Sequence, residues 1–425
     1  MALTVGRSAL AARLLGPSGR GEFTAIQVWP MFLAAVGILG LPDALLYVSS
    51  KKPRQLSLVL TSWLMLLPMA VLLMIAGYFL IPHVMGSQSA KVIGAARVFL
   101  LVIPLVFLSQ TSQSAQRAWG DFPLWNGLRT IKPVLYAVAL VLAWLVGNTE
   151  AVFVAKLWLL ANLAGTSIIV GSLRRYGSLR SARLEMEKAP GMLKYGAQSA
   201  LGTAPELLNS RLDQLVLVGF LGAVDLGLYT IAVSWSIFLL PIADAVASVM
   251  FPYIAQSDQT ASAERRFSKS VRMGLLVTAM VCGVMFILAP LGIPLLFGGE
   301  YRPAVPAAAV LTVAAAAWQY NRILRAGLKG LGHPVAGALA EGTALVFTVL
   351  LLLILLPRMG ILGAAIASLV AYLASGLIVL LYVRQKTGVG LRTIVTFRQT
   401  DVLLLLQHAH RLFAGAIHRV RYRHG

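Results

Sequence analysis

The chain has 425 residues, 58% hydrophobic and only 12% charged, with a formal net charge of +21. Soluble domains are about 45–50% apolar and about 25% charged, so a water-soluble globular protein is excluded. The basic residues sit in short loops between apolar blocks and not in a basic-aromatic stripe on a soluble face, so the charge does not signal nucleic-acid binding. No zinc-ligand spacing occurs, and the one cysteine, Cys282, lies inside an apolar block as a small buried hydrophobe that can form no internal disulfide.

The apolar blocks are about twenty residues long, the length of a helix that crosses a bilayer, and no period-2 pattern of a β-barrel recurs. Arg7, Arg13 and Arg20 are spread through the first apolar stretch, unlike the clustered charges of a secretory signal. In chain order the expected membrane segments are 1, Ala2–Leu15; 2, Thr24–Tyr47; 3, Leu56–Ile81; 4, Val92–Ala115; 5, Ile131–Val146; and 6, Ala151–Leu173. The second group is 7, Tyr195–Leu221; 8, Gly227–Ile254; 9, Met273–Phe297; 10, Ala304–Ile323; 11, Val335–Leu356; and 12, Ile361–Val383. Residues 174–194 form a basic linker between the groups, with Leu179, Leu184, Met186 and Met192 giving it an amphipathic, interfacial character. Residues 387–425 form a basic tail, in part an amphipathic helix for an anionic lipid surface, and its His408, His410 and His418 lack the acidic or cysteine ligands of a metal site.

Loop charge alternates along this order. Lys51, Lys52 and Arg54 follow segment 2, and Arg117, Arg129 and Lys132 lie around the 4–5 loop. Six basic residues fill the 6–7 linker, Arg265, Arg266, Lys269 and Arg272 the 8–9 loop, and Arg322, Arg325 and Lys329 the 10–11 region. With the tail these total 27, against five (Arg20, Lys91, Arg97, Arg302, Arg358) in and beside the opposite loops. The bias puts the even-numbered loops and both termini in the cytoplasm.

The two groups of six are repeats. At an offset of 206, Leu15-Gly16 matches Leu221-Gly222, Gly21 matches Gly227, Phe23 Tyr229, Thr24 Thr230 and Trp29 Trp235. At 212, Ile81-Pro82 matches Ile293-Pro294, Gly86 Gly298, Arg117 Lys329 and Gly120 Gly332. At 210, Leu159, Ala161, Leu163 and Ala164 match Leu369, Ala371, Leu373 and Ala374. An even number of crossings per repeat gives both halves the same orientation. The pseudo-two-fold axis then runs along the membrane normal, with binding expected near the midplane between lobes 1–173 and 195–386. Segment 7 has no counterpart for its first half before Met1, so helix 1 reads as truncated.

The run LLGPSGRGEFTAIQVWPMFLAAVGILGLPDALLY, the segment 7–8 run SRLDQLVLVGFLGAVDLGLYTIAVSW and the segment 11–12 run beginning GLGHPVAGALAEG resemble the polysaccharide flippases of the multidrug/oligosaccharidyl-lipid/polysaccharide exporter superfamily over roughly residues 10–388. The resemblance implies an all-α integral membrane protein in a bacterial plasma membrane. It also implies a monomer that moves an undecaprenyl-pyrophosphate-linked oligosaccharide outward by alternating access. Membrane lipids and a coupling proton or sodium ion are then partners, and no cofactor is expected. A multidrug/cation antiporter of the same superfamily is the alternative. A polysaccharide-processing enzyme is disfavoured, because the external loops are short and carry no paired acids and no Ser/His/Asp set.

Charges inside membrane helices usually face a cavity or a partner. In segment 7, Glu206, Asn209 and Asp213 follow i, i+3, i+7 spacing and share one face of an uninterrupted helix, with Arg211 pointing away. Either Arg211 meets substrate phosphate, the acids couple to an ion, or the group ties segment 7 to its neighbours. In segment 10, Gln319, Asn321, Arg322 and Arg325 are candidate substrate contacts. Arg322 and Arg325, three apart, suit a pyrophosphate, and snorkelling to lipid headgroups is the competing reading, preferred for Arg325. Asp43, Asp244 and Glu341 are single acids available for ion coupling, capping or pairing. Lys156 is read as snorkelling at the outer interface, and Pro241 as a candidate hinge.

Overall fold

The computed structural model describes residues 2–51, 54–179, 182–239, 260–331 and 335–387, and these contain helices and no strand. The helices are α1 Ala2–Gly37, α2 Leu41–Lys51, α3 Leu56–Val84, α4 Ala90–Phe99, α5 Val102–Ala118, α6 Phe122–Leu145, α7 Ala151–Ser172 and α8 Ala189–Asn209. They continue with α9 Leu212–Phe220, α10 Ala223–Ser236, α11 Thr260–Phe297, α12 Val305–Gly330 and α13 Val335–Thr387. Taken with their breaks, they fall on the expected segments wherever those lie within the described residues. Leu291 and Leu295 of α11 are each 73% exposed. Such apolar exposure marks a face for lipid or another apolar partner.

Two long helices each contain a break. Gly16 has φ 63 and ψ 179, dividing α1 into 2–15 and 17–37. Gly360 has φ 55 and ψ −135, dividing α13 into 335–359 and 361–387. Both conformations are nearly closed to residues with a Cβ. Other segments bend where the sequence read them as straight. α1 and α2 meet at 42° across Leu39 (φ 50) and Gly40 (φ 62), and segment 7 is interrupted at Ser210–Arg211 between α8 and α9. α6 starts at Phe122, well before the expected Ile131, because Asp121 accepts a hydrogen bond from the Leu124 amide and Pro123 suits a first turn. Arg129, counted among the loop charges, therefore stands inside α6, as does Lys132.

The described residues form two compact units. The first comprises Met1–Ser234, Pro290–Ala308 and Thr348–Ala364; the second comprises Trp235–Ala289, Ala309–Phe347 and Ala365–Gly425. One core of the first unit joins Ala44 and Leu45 of α2, Leu56, Leu58 and Val59 of α3, Ala115 of α5 and Met192 of α8. The linker is held to this end, since Glu185 accepts from Ser57 Oγ and pairs with Lys188 while its amide donates to Thr61 Oγ1 at 2.9 Å. The second unit packs Phe267 and Val271 of α11 against Ile323, Leu324 and Leu328 of α12 and Ala336, Ala340, Val379 and Val383 of α13.

Within the first unit the repeat becomes geometry. A Cβ on Gly21 would overlap the carbonyl oxygen of Ala223, and a Cβ on Gly227 would overlap that of Pro17. Gly21 and Gly227 are mates at the offset of 206, and so are Pro17 and Ala223, so the contact is reciprocal about a local two-fold axis. The axis passes close to Thr24 and Thr230, also mates, whose hydroxyls lie 3.2 Å apart. The flanking contacts keep the symmetry while changing the chemistry. Ser87 Oγ and Gln88 Nε2 donate to the carbonyls of Val218 and Leu221 at the end of α9, at 2.9–3.1 Å. In the second repeat Tyr301 Oη donates to the carbonyl of Ala12, the mate of Val218, at 3.1 Å. Burial pushes the Tyr301 hydroxyl above its ordinary pKa, which keeps it a donor. Arg13, mate of Gly219, donates from Nε to the Leu296 carbonyl at 3.0 Å. Small residues that let backbones touch, with side chains closing orphan carbonyls, are the packing expected where lipid removes the hydrophobic drive between helices.

Candidate functional site

The break in segment 7 separates groups that the sequence put on one helix face. Arg211 is exposed, has φ −128 and precedes the first turn of α9, so helical phase is lost between Asn209 and Asp213. The expected common face of Glu206, Asn209 and Asp213 is therefore corrected. Asp213 lies in the first turn of α9, where the helix dipole favours a carboxylate. It accepts from Tyr229 Oη at 2.7 Å and from the Gln214 amide at 2.7 Å. Asn209 is buried at the end of α8, and Thr348 Oγ1 donates to its Oδ1 at 3.4 Å. Glu206 is half-buried one turn earlier on α8.

In the second unit, Arg325 Nη1 pairs with Glu341 Oε1 at 2.6 Å, with side chains 14% and 6% exposed. This is pairing within the protein and not the preferred snorkelling, and it occupies Glu341 as well. Arg322 lies elsewhere, its Cζ 5.2 Å from the Trp318 ring centre. Asn321 Nδ2 donates to the Tyr372 carbonyl at 2.9 Å. Gln319 is fully buried, and neither amide atom has a hydrogen-bond partner among the described residues. Asp43 is exposed at the start of α2 and accepts from Ser199 Oγ of α8 at 2.6 Å. Asp244, Pro241 and the tail lie outside the described residues. Lys156 is exposed and rims an apolar cavity of about 210 Å³ lined by Val98, Phe99 and Leu159. Among the described residues no cluster of three metal-ligating side chains occurs.

One grouping in the first unit was not legible in sequence. Phe23 stacks on Tyr136 with ring centres 6.0 Å apart, and Trp158 packs on Phe23 at 5.7 Å and on Phe99 at 4.9 Å. Two cations address this box: Arg7 Cζ is 5.8 Å from the Tyr136 ring centre and Arg20 Cζ is 5.7 Å from that of Phe23. The Arg20 Nε is buried without a hydrogen-bond partner. No carboxylate pairs with either arginine among the described residues. Guanidinium groups over aromatic faces keep their N–H forks for an oxyanion. The sequence offers no local signal for this, because the box draws residues from α1, α4, α6 and α7.

A family model described as polysaccharide biosynthesis protein matches residues 10–306. The chain belongs to that family. Among solved structures it is similar to one described as "Lipid II flippase MurJ, inward closed conformation", with a TM-score of 0.74 at 17% identity, covering 95% of this chain and 87% of that one. It is also similar to an outward-facing multidrug resistance MATE family transporter of the MOP superfamily, with a TM-score of 0.60 at 18% identity and 90% of each chain covered. A MOP superfamily transporter from Pyrococcus furiosus, described as having a binding pocket of reverse polarity, gives a TM-score of 0.60 at 17% identity, with 93% of this chain and 95% of that one covered. No curated protein matches the sequence. The fold is thus that of the superfamily named from the sequence: an all-α, multi-pass membrane protein of twelve helices in two six-helix lobes. Its family is one of polysaccharide biosynthesis.

Proposed function

We propose that the protein moves an undecaprenyl-pyrophosphate-linked oligosaccharide from the cytoplasmic to the outer leaflet of a bacterial plasma membrane, by alternating access of its two lobes. The observation that carries this reading is the pair Arg7 and Arg20, two cations held on an aromatic box with no carboxylate partner among the described residues. A charge in a membrane helix costs about 2.5–3.5 kcal/mol on insertion scales, and an anionic headgroup offsets that cost when it binds. In the first unit Arg211 adds a cation and Asn209 a neutral contact; in the second, Arg322 adds a cation and Gln319 and Asn321 neutral contacts. Arg325 contributes indirectly, through its pair with Glu341. Asp213, bonded to Tyr229 at the broken helix, is the acid best placed to couple transport to a proton or sodium ion, because its carboxylate position depends on the α8–α9 break.

The second reading, an organic-cation antiporter, rests on that same half-buried Asp213. The excess of intramembrane cations over acids in the first unit favours the anionic substrate. Deletion of the gene, followed by measurement of inner-leaflet lipid-linked oligosaccharide, separates the two. Accumulation that this chain relieves, and that Arg7→Gln or Arg20→Gln does not, supports the flippase. No accumulation on deletion defeats it and moves the assignment to the antiporter.

A further inference from the structure

The repeat gives a direct comparison of how each half ties its fourth helix to its sixth. Ser109 on α5 and Asn321 on α12 are mates at the offset of 212. In the second unit the Asn321 amide spans the gap itself: Nδ2 reaches the Tyr372 carbonyl, and Oδ1 would lie 2.6 Å from a Cβ on Gly376. In the first unit Ser109 is too short to span, and Lys132 enters from α6. Its Nζ donates to Ser109 Oγ at 2.7 Å, and that hydroxyl donates onward to the Val106 carbonyl at 3.2 Å. Gly165 of α7 is the counter-wall, since a Cβ there would lie 2.7 Å from Lys132 Cγ. The lysine therefore sits in a slot shaped to its stem.

The second half shows that a neutral group suffices to tie this layer. The charge in the first half is additional, and it is costly in a membrane span. The ammonium has three donors and one bond. Among the described residues no carboxylate pairs with it. The groups facing this layer are neutral: Ser109 and Gln113 on α5, Thr166 on α7. Along α6 the half-buried Lys132 falls on one stripe with the buried Leu128, Tyr136, Ala139 and Ala143, so Lys132 stands one turn, about 6 Å, before the tyrosine that Arg7 covers. The loop charges start α6 at the cytoplasmic side, which puts Lys132 nearer that side than Tyr136, the ring that Arg7 covers.

We propose that Lys132 and the Ser109 hydroxyl form an oxyanion site that takes a phosphate of the lipid pyrophosphate as it enters from the cytoplasm. The inference rests on the flippase reading and deepens it by adding a headgroup contact that loop-charge reasoning had assigned to topology. The test uses the full chain in phosphatidylcholine nanodiscs, with undecaprenyl pyrophosphate as the probe and phosphatidylglycerol as the competing phosphate lipid. Binding is read by native mass spectrometry, and folding by the melting curve. Lys132→Met should weaken undecaprenyl pyrophosphate binding about tenfold or more, as loss of a charge-assisted hydrogen bond implies. Lys132→Arg should bind nearly as the parent does. If Lys132→Met does not insert, Lys132→Gln removes the charge and keeps a donor for Ser109. Unchanged binding in a charge-neutral variant overturns the inference while leaving the flippase reading intact. No binding by the parent chain overturns both. Equal loss of phosphatidylglycerol binding assigns the site to membrane lipid and overturns its substrate role.

Discussion

Arg325 and Glu341 show what residue spacing cannot reveal. Arg322 and Arg325 are three apart, which puts them on neighbouring parts of a helix surface, yet one meets a carboxylate on α13 and the other an indole on its own helix. Removing one member of a buried ion pair strands the other charge, at a cost of about 3–5 kcal/mol. Arg325→Met and Glu341→Gln should therefore each lower the melting temperature strongly. The double variant Arg325→Met/Glu341→Leu should recover most of the loss, as thermal unfolding in detergent would show. A different outcome is expected at Asp213. Asp213→Asn keeps the shape and can still accept from Tyr229, so the chain should fold, but transport into proteoliposomes should lose its response to an imposed ion gradient. A gradient response equal to the parent's would remove Asp213 from coupling. Both acids were candidates in the sequence. Their partners, Tyr229 and Arg325, could not be read there, because a side chain's environment is set by elements distant in the chain.

At the scale of elements, the helices themselves were legible, because each crossing must be apolar for about twenty residues whatever it packs against. The breaks were only partly so. Gly360 marks a break that apolar length already demanded, since an unbroken helix of 53 residues would run about 80 Å; Gly16 breaks α1. The interruption at Ser210–Arg211 carries no glycine or proline at the break and was read as straight helix. Gly16→Ala should cost about 1–3 kcal/mol for its backbone conformation alone, visible as a lowered melting temperature. Gly21→Ala and Gly227→Ala meet two-fold-related backbone oxygens and should be impaired alike in expression and transport. A strong defect in one with none in the other would contradict the reciprocal contact.

For the molecule as a whole, the seam around Thr24 and Thr230 has to part if transport alternates access. With Cys282 replaced by serine, Thr24→Cys/Thr230→Cys should cross-link under mild oxidation and stop lipid-linked oligosaccharide transport, and reductant should restore it. Full transport by the cross-linked form would mean that this seam stays closed throughout the cycle. The sequence by itself determined that the chain lives in a bilayer, how many times it crosses, which loops carry the positive charge, and that it is a repeat. These are properties of composition and local order, which the membrane as solvent enforces residue by residue. Only the tertiary structure decided which charges are paired, where segment 7 breaks, and that Lys132, Arg7 and Arg20 line one half. Those outcomes depend on contacts such as Tyr301 with Ala12, 289 residues apart, and nothing in a local stretch of sequence encodes its partner at that distance.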